Sequence, residues 1–373
     1  MKIVVDGIIY KSSPVGGVSR VFKELLVECC NQEPSLDIVL LALRSTSLFL
    51  PCHPQIWVPD WSNFQWWNSE YNSRFENMLY RFSDFLWPLL VGDTRKMIWH
   101  STYFTDSEHW HGRRVVTVHD MIYELFPELF SSDADESLKQ AKKRCVNAAD
   151  AIICVSKATQ DDLLNYYGNH LKDRTWVVPN GYSMLFKQEI FSSPFETALP
   201  RGFILYIGSR NAHKNFKWFL ETYASWEKKH DFHLLIVGGL WSSDELNLID
   251  RLKISGNLHL MEHIDDRQLC YLYNQAAAFV HPSLYEGFGI PILEAMACGC
   301  PVVASRIPTT VEIAQNHPFY YEKQDQDGLI QALELAIITS KTSDRIRFGL
   351  SHAQNYSWHE TARKTLQVYR EIT

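Results

Sequence analysis

The 373-residue sequence lacks several features that define specialised classes of protein. It has no basic surplus, because 43 acidic residues face 36 basic ones and the net charge is −7. Positive charge supplies most nonspecific affinity for nucleic acid, so nucleic acid is not expected as a partner. Eight cysteines in a chain of this length do not make a disulfide framework. We therefore expect reduced thiols and a cytoplasmic location.

Long hydrophobic runs are also missing from the sequence. No stretch reaches the roughly 18 uncharged apolar residues that a membrane-spanning helix requires. The apolar segment from Met1 to Tyr10 contains Asp6 and lacks the small-residue cleavage site of a signal peptide. We expect any membrane contact to be peripheral, at the inner face of the plasma membrane.

The sequence does contain enough apolar material for large buried cores. Apolar residues make up 46% of the chain and charged residues 21%, which excludes global disorder. At roughly 150 residues per domain, the length predicts two domains. Aromatic residues reach 13% and include 12 Trp. Those between Phe64 and Leu90 favour a core-facing helix, and the loop from Trp57 to Trp67 is a candidate for stacking on a flat ligand such as a sugar ring.

Short apolar runs alternate with amphipathic segments, a pattern typical of a parallel sheet with crossover helices. The predicted strands are Ile3–Val5, Ile38–Leu43, Met97–Trp99, Val115–Val118, Ala151–Val155, Trp176–Val178, Phe203–Ile207, Leu234–Val237, Leu258–Met261, Ala277–Val280 and Val302–Ala304. A looser stretch after Asn180-Gly181 predicts a linker between two α/β units. Because ligands bind beyond the carboxyl ends of parallel strands, two facing units would form a binding cleft.

The densest cluster of polar and glycine residues runs from His281 to Gly299. Two glycines in the loop allow close backbone approach, and Pro291 fits the first turn of a short helix. The N-terminus of that helix is a natural phosphate site. Glu294 is expected in the same first turn, where a carboxylate could bind a ribose diol. A helix-capping loop with one solvated glutamate, Glu286, is the alternative that the residues alone leave open.

Two further segments place charged side chains after predicted strands. The loop from Gly208 to Asn215 contains Arg210 and Lys214, two cations that suit a diphosphate. His119-Asp120 follows the strand Val115–Val118, and without further ligands at a recognisable spacing it does not indicate a metal site. An ordinary charged loop and a structural histidine remain the alternatives.

These segments, taken together and in this order, resemble the retaining nucleotide-sugar glycosyltransferases of family 4. Glu286 and Glu294 are similar to the Glu-x7-Glu motif of that family. The resemblance extends over nearly the whole chain, through Gly16-Gly17-Val-Ser-Arg20, Val118-His119-Asp120, Asn180-Gly181, Tyr206-Ile-Gly208 with Lys214-Asn215, and Tyr356-Ser-Trp358. It implies the α/β GT-B fold of two facing Rossmann-like domains with parallel sheets. The expected acceptor-binding domain spans residues 1–185 and 356–373, and the expected donor-binding domain spans residues 195–355.

The resemblance also implies roles for single residues. The expected catalytic residues, which stabilise the leaving diphosphate or contact the transferred sugar, are His119, Glu286, Lys214 and Arg210. The expected donor-binding residues are Gly16, Gly17, Ser209, Lys214, His263, Ile264, Gly287, Phe288, Gly289, Ile290, Leu293 and Glu294. The expected acceptor-binding residues are Asp6, Arg20 and Asp120.

Two pairs of carboxylates mimic a metal-binding Asp-x-Asp motif. Asp133 and Asp135 follow serines at a helix start, where carboxylates cap the helix, and Asp325 and Asp327 are a similar case. No metal ion and no cofactor are therefore expected.

The expected function is a retaining, metal-independent transfer of a hexose of the glucose or mannose type. The donor would be a nucleoside-diphosphate sugar, with UDP favoured over GDP, and the acceptor a saccharide or a lipid-linked saccharide in polysaccharide or glycan biosynthesis. Two alternatives stay open, a nucleotide-sugar epimerase of the same architecture and a non-catalytic protein that binds nucleotide sugars or glycans.

Overall fold

The computed structural model describes residues 1–13, 16–42, 50–59, 91–105, 110–189, 199–200 and 202–373. Within them the chain divides into two compact units. Unit 1 contains Met1–Gly181 and Trp358–Thr373, and unit 2 contains Tyr182–Ser357. The aromatic segment from Phe64 to Leu90, most of the Trp57–Trp67 loop and the centre of the predicted linker lie outside the described residues.

Unit 1 is a parallel sheet flanked by helices. The described strands are β1 (Lys2–Val5), β2 (Asp37–Leu40), β3 (Ile56–Trp57), β4 (Met97–Ser101), β5 (Arg113–Val118), β6 (Ala151–Cys154) and β7 (Thr175–Val177). Their order is β3-β2-β1-β4-β5-β6-β7. The described helices are α1 (Ile8–Ser12), α2 (Gly17–Gln32), α3 (Ile122–Leu125), α4 (Asp133–Ala148), α5 (Lys157–Tyr167) and, at the end of the chain, α13 (Trp358–Ile372).

The core of unit 1 explains why its elements form where they do. In α2 the apolar residues recur at helical spacing, and Phe22 and Leu26 are buried against the sheet. The C-terminal α13 packs on α2 and contributes Leu366 and Tyr369 to the same core. Residues Ile3–Val5 of β1 and all of β6 are continuous, buried apolar runs, as expected for a sheet covered on both faces.

Unit 2 has the same kind of architecture. Its strands are β8 (Phe203–Ile207), β9 (His233–Val237), β10 (Leu258–Met261), β11 (Ala278–His281), β12 (Val302–Ser305) and β13 (Phe319–Tyr321), in the order β10-β9-β8-β11-β12-β13. Its helices are α6 (Phe216–Ser225), α7 (Ser243–Leu252), α8 (Asp266–Gln275), α9 (Ile290–Ala297), α10 (Pro308–Ala314), α11 (Gln326–Ile338) and α12 (Asp344–Ala353). All described strand pairs in both units are parallel, which confirms the predicted α/β class with two Rossmann-like domains.

Both carboxylate pairs that mimic a metal motif lie at helix starts. Ser132 accepts a hydrogen bond from the backbone N–H of Asp135, whose side chain accepts one from the N–H of Ser132, so the two form a capping box at the start of α4. Asp325 caps α11 by accepting from the N–H of Gly328 at 2.9 Å. The predicted capping role is therefore confirmed for both pairs.

All eight cysteines are free thiols, as expected. Among the described residues, no helix combines the length and the apolar character needed to cross a bilayer.

Candidate functional site

The two loops that carry the predicted donor motifs follow neighbouring strands of unit 2. Strand β8 ends at Ile207 and β11 ends at His281, and these strands are adjacent where the strand order reverses. Ligands of open parallel sheets bind at such a reversal, beyond the carboxyl ends of the strands. The loops are joined there, because the backbone N–H of Leu284 donates to the carbonyl of His213 at 2.8 Å. This contact brings the Lys214 turn against the glycine-rich loop.

Three polar side chains converge on one carboxylate oxygen of Glu286. Lys214 Nζ and Ser283 Oγ each donate to Oε1 at 2.6 Å, and Nε2 of His281 lies 3.3 Å from it. Burial raises the pKa of this carboxyl, but the positive charge of Lys214 and the contacts with His281 and Lys214 outweigh burial and hold the pKa of Glu286 well below its usual range. Glu286 is therefore an anion at neutral pH, with its side chain 12% exposed.

The backbone around Glu286 is fixed by hydroxyl groups from the next strand and helix. Thr309 Oγ1, in α10, donates to the carbonyl of Glu286 at 2.6 Å. Ser305 Oγ, at the end of β12, donates to the carbonyl of Ser283. The loop is thus anchored through its main chain as well as through the carboxylate.

Helix α9 begins immediately after the glycine-rich loop. Gly289 has φ +122°, a conformation that favours glycine, and it turns the chain into the helix at Ile290. The expectation that Glu294 lies in the first helical turn is wrong, because the helix starts one residue before Pro291 and its first turn holds no acidic residue. Glu294 is 2% exposed and accepts from Tyr273 Oη at 3.3 Å.

Arg210 lies in the same loop as Lys214, but its guanidinium binds elsewhere. Nε and Nη2 donate to the two carboxylate oxygens of Glu245 at 2.6 and 3.1 Å, and Nη1 and Nη2 also donate to two backbone carbonyls of the loop after β9. The guanidinium carbon lies 4.7 Å from the ring centre of Trp241. The two charged side chains are 8% and 6% exposed. The structure brings Lys214 and Glu286 together and places Arg210 in a separate buried ion pair.

The other predicted donor residues differ in exposure. Gly287, Phe288 and Leu293 are buried, Ile264 and Ile290 are half-buried, and Ser209 and His263 are exposed. His263 follows β10 with φ +53°, a left-handed conformation that histidine adopts more readily than most residues. Ser209 and the His263 segment therefore both lie beyond the carboxyl ends of strands.

In unit 1, Asp6 is the centre of a buried hydrogen-bond cluster at the end of β1. Its carboxylate accepts from Ser101 Oγ and the Thr102 backbone N–H at 3.0 Å each, from the Ile8 backbone N–H at 3.2 Å, and from the hydroxyls of Thr102 and Thr105. Burial raises the pKa of Asp6 above its ordinary value, although these hydrogen bonds oppose the rise. Five donors leave the carboxylate little capacity to accept from a ligand, which favours a structural role over the predicted acceptor contact.

His119 follows β5 and is 8% exposed. Burial lowers its pKa to about 4, and the nearby charge of Asp120 offsets this only in part, so the imidazole is neutral at pH 7. Among the described residues, Nε2 has no hydrogen-bond partner. A buried ring nitrogen in this state is suited to a ligand hydroxyl.

The turn after His119 rests on a buried ion pair that the sequence interpretation missed. Lys142, with 0% exposure, donates to Glu124 at 2.8 Å and to the backbone carbonyl of Asp120 at 3.1 Å. Glu124 also accepts from Tyr167 Oη at 2.9 Å. These partners come from α3, α4 and α5, so no local spacing in the sequence could have indicated them.

The predicted glycine turn opens α2. Gly16 is the N-cap, and a Cβ there would lie 2.1 Å from Ser13 Oγ, whereas a Cβ on Gly17 would meet open space. Ser19 Oγ donates to the carbonyl of Gly16 at 2.7 Å. Arg20 is half-buried in the first turn. In the part of the chain that the structure describes, no atom therefore obstructs the start of α2 at Gly17.

Sequence reasoning assigned no role to His281 or Ser283, although both lie in the motif that contains Glu286. Their positions five and three residues before Glu286, at the end of β11 and in the loop after it, are the signal that could have found them. Within the described ranges, no group of three or more histidine, cysteine, aspartate or glutamate side chains is arranged to hold a metal ion.

Comparison with known families assigns each half of the chain to a family model. Residues 15–184 match the model described as Glycosyltransferase Family 4. Residues 188–348 match the model described as Glycosyl transferases group 1.

Individual proteins show the same likeness. The chain is 29% identical over 296 residues to the O-antigen chain mannosyltransferase B of Escherichia coli, covering 74% of this chain and 75% of that protein. Sucrose-phosphate synthase from Thermosynechococcus elongatus superposes with a TM-score of 0.75 at 18% identity, over 100% of this chain and 98% of the other. The Anabaena protein HepE, crystallised with UDP and glucose, superposes with a TM-score of 0.71 at 17% identity, over 99% of both chains. These likenesses confirm the predicted GT-B fold.

Proposed function

We propose that this chain is a glycosyltransferase of the family 4 type that transfers a hexose with retention of anomeric configuration, a proposal supported by the match of its two halves to glycosyltransferase family models and by its GT-B fold. The donor is a nucleoside-diphosphate hexose. The acceptor is a saccharide or a lipid-linked saccharide in glycan biosynthesis. A lipid-linked acceptor would bring the protein to a membrane surface.

One observation carries this proposal, the contact of Lys214 Nζ with the Glu286 carboxylate at 2.6 Å beyond β8 and β11. A sugar nucleotide needs a cation for the diphosphate and an acceptor of hydrogen bonds for the sugar hydroxyls. Lys214 and Glu286 supply both groups side by side, and Glu286 lies four residues before α9. The unpaired N–H groups at the start of α9 add a positive dipole end.

The proposed chemistry is stabilisation of the departing diphosphate. Negative charge grows on the diphosphate as the bond to the anomeric carbon breaks, and a positioned ammonium group lowers the energy of that state. Lys214 is 24% exposed, so it is reachable by a ligand while partly shielded from water. We propose that Lys214 and α9 do this without a metal ion and that Glu294 binds the ribose.

In unit 1, the neutral His119 is proposed to bind a sugar hydroxyl through Nε2. Asp120, with its side chain 34% exposed, and Arg20 are proposed acceptor contacts. Glycines 16 and 17 allow a ligand to approach the start of α2.

The identity of the donor rests on weaker support. UDP and glucose in the HepE structure support a UDP-hexose, and the name of the Escherichia coli relative supports mannose. We keep UDP-hexose as the first candidate and GDP-hexose as the second.

A thermal-shift panel of UDP-, GDP- and ADP-sugars tests the proposal. A donor at one hundred times its dissociation constant stabilises the folded state by about 2.7 kcal/mol, which raises the melting temperature of a unit of this size by about 5–11 °C. We expect a UDP-hexose to give the largest shift and the Lys214→Met variant to lose most of it. A larger shift with a GDP-hexose would correct the base, and no shift with any sugar nucleotide would contradict the proposal.

A further inference from the structure

The Glu286 carboxylate is held asymmetrically. Lys214, Ser283 and His281 all meet Oε1. Among the described residues, none donates a hydrogen bond to Oε2. One oxygen is therefore saturated by the protein, and the other is left for a ligand.

The two partners of Oε1 other than Lys214 lie on rigid backbone. His281 is the last residue of β11 and is 5% exposed, and Ser283 is 1% exposed. The Ser283 carbonyl is held by Ser305, and the Glu286 carbonyl is held by Thr309. His281 and Ser283 thus lie on backbone that is fixed at the end of the sheet, which holds their side chains in place beside Oε1.

Lys214 cannot fix the carboxylate by itself during the proposed reaction. When a diphosphate binds, the ammonium group has a second and more highly charged anion to contact, so its bond to Oε1 weakens. If Lys214 were its only partner, the carboxylate would then rotate about its terminal side-chain torsion, whose distribution is broad for glutamate. The hydroxyl of Ser283 carries no charge, so the diphosphate does not draw it away from Oε1 in the same way.

We propose that His281 and Ser283 are positioning residues, which hold the Glu286 carboxylate so that Oε2 accepts hydrogen bonds from the hexose of the donor. This inference rests on the proposed function, in which Glu286 binds the sugar and Lys214 binds the diphosphate. Nε2 of His281 lies 3.3 Å from Oε1, within reach of a hydrogen bond in the tautomer that carries its proton there.

The informative quantity is the contribution of the hexose to donor affinity, measured as the dissociation constant of UDP divided by that of UDP-glucose. Isothermal titration calorimetry gives both constants, with the GDP pair used if guanosine produces the larger thermal shift. Because Ser283→Ala and His281→Phe loosen the Glu286 carboxylate without removing it, each is expected to cost only part of a hydrogen bond to a charged group and to lower this ratio about 3- to 10-fold. The affinity for UDP alone stays within about twofold, because the diphosphate contacts are unchanged.

Three controls make the result specific. His281→Gln, whose side-chain amide reaches the position of Nε2, is expected to recover most of the ratio. Thr222→Val removes a buried hydroxyl that donates to the carbonyl of Trp218 at 3.1 Å, and it should leave the ratio unchanged. In a Glu286→Ala background, Ser283→Ala should have no further effect.

The outcomes separate the two claims. If Glu286→Ala lowers the ratio but Ser283→Ala and His281→Phe do not, the positioning role is overturned and the role of Glu286 stands. If the two variants weaken UDP binding as much as UDP-glucose binding, the positioning role is also overturned. If Glu286→Ala leaves the ratio unchanged, the proposed sugar contact of Glu286 fails, and this inference fails with it.

Discussion

Replacing Lys142 by methionine should destabilise unit 1 strongly, because it leaves the buried carboxylate of Glu124 without its cation. Lys142 and Glu124 both have fully buried side chains, and their charged atoms lie 2.8 Å apart. The methionine keeps most of the apolar stem volume, so the change removes the charge with little loss of packing. What remains is Glu124 with one neutral partner, the hydroxyl of Tyr167 at 2.9 Å.

The expected magnitude follows from the burial of both groups. Removing one partner of a buried ion pair lowers the free energy of unfolding by about 3–5 kcal/mol, because the remaining charge is neither paired nor hydrated. For a unit of roughly 200 residues, each kcal/mol corresponds to about 2–4 °C in melting temperature, so we expect a fall of about 6–20 °C. The double variant Lys142→Met, Glu124→Gln replaces the stranded anion by a neutral amide that still accepts from Tyr167, and it should recover more than half of the loss.

Urea unfolding of the wild type, both single variants and the double variant gives the coupling free energy directly. Lys142 also donates to the carbonyl of Asp120 at 3.1 Å and so supports the turn after His119. We therefore expect weaker transfer activity in Lys142→Met even at temperatures below its unfolding transition. A Lys142→Met protein within 1 kcal/mol of wild type, or a double variant no more stable than Lys142→Met, would refute the reasoning.

Three other predictions follow from the structure. Lys214→Ala should lower the turnover number about 100-fold or more at saturating donor, and near-normal turnover would remove the diphosphate assignment. Arg210→Lys, which loses the two-point contact with Glu245, and Glu245→Gln, which leaves the buried guanidinium without its anion, should both lower the melting temperature of unit 2. A loss of donor affinity in Arg210→Lys at unchanged stability would place Arg210 on the diphosphate instead. Burial lowers the pKa of His100 to about 3, whereas the same imidazole in the unfolded chain has a pKa of about 6.5. Below pH 6.5 the unfolded chain therefore binds a proton that the folded chain does not. The free energy of unfolding should fall by about 1.4 kcal/mol per pH unit in this range. Urea unfolding between pH 7 and pH 5 should show a shallower dependence in His100→Gln, and an unchanged dependence would exclude His100 as the cause.

The strands of the fold were predictable from the sequence because their signal is local. Runs such as Ile3–Val5 and Phe203–Ile207 are continuous and apolar, and the structure places β1 and β8 within one residue of them. Strands β3 and β13 were missed, since they have two and three residues and lie next to aromatic or polar segments without a clear period. Pro291 lies in the first turn of α9 as predicted, but Glu294 falls beyond that turn because the helix already begins at Ile290, directly after the positive φ angle of Gly289.

The contacts of the candidate site were predictable only in part. The proximity of Lys214 and Glu286 follows from two loops at the ends of strands that the fold places side by side. The partner of Arg210 could not be predicted in this way, because Glu245 is 35 residues away and reaches Arg210 from the first turn of α7. The same holds for Asp6, because all its donors except the Ile8 backbone N–H come from the end of β4 and the loop after it, about 95 residues further along the chain.

The central claim is that this chain transfers a hexose from a sugar nucleotide with retention. Proton NMR of a reaction mixture tests it most directly, with the donor that gives the largest thermal shift and a panel of saccharide and lipid-linked acceptors. We predict a new glycosidic linkage whose anomeric configuration matches that of the donor, and none with Lys214→Ala on the same time scale. A product of inverted configuration, or conversion of the donor without any acceptor, would contradict the claim.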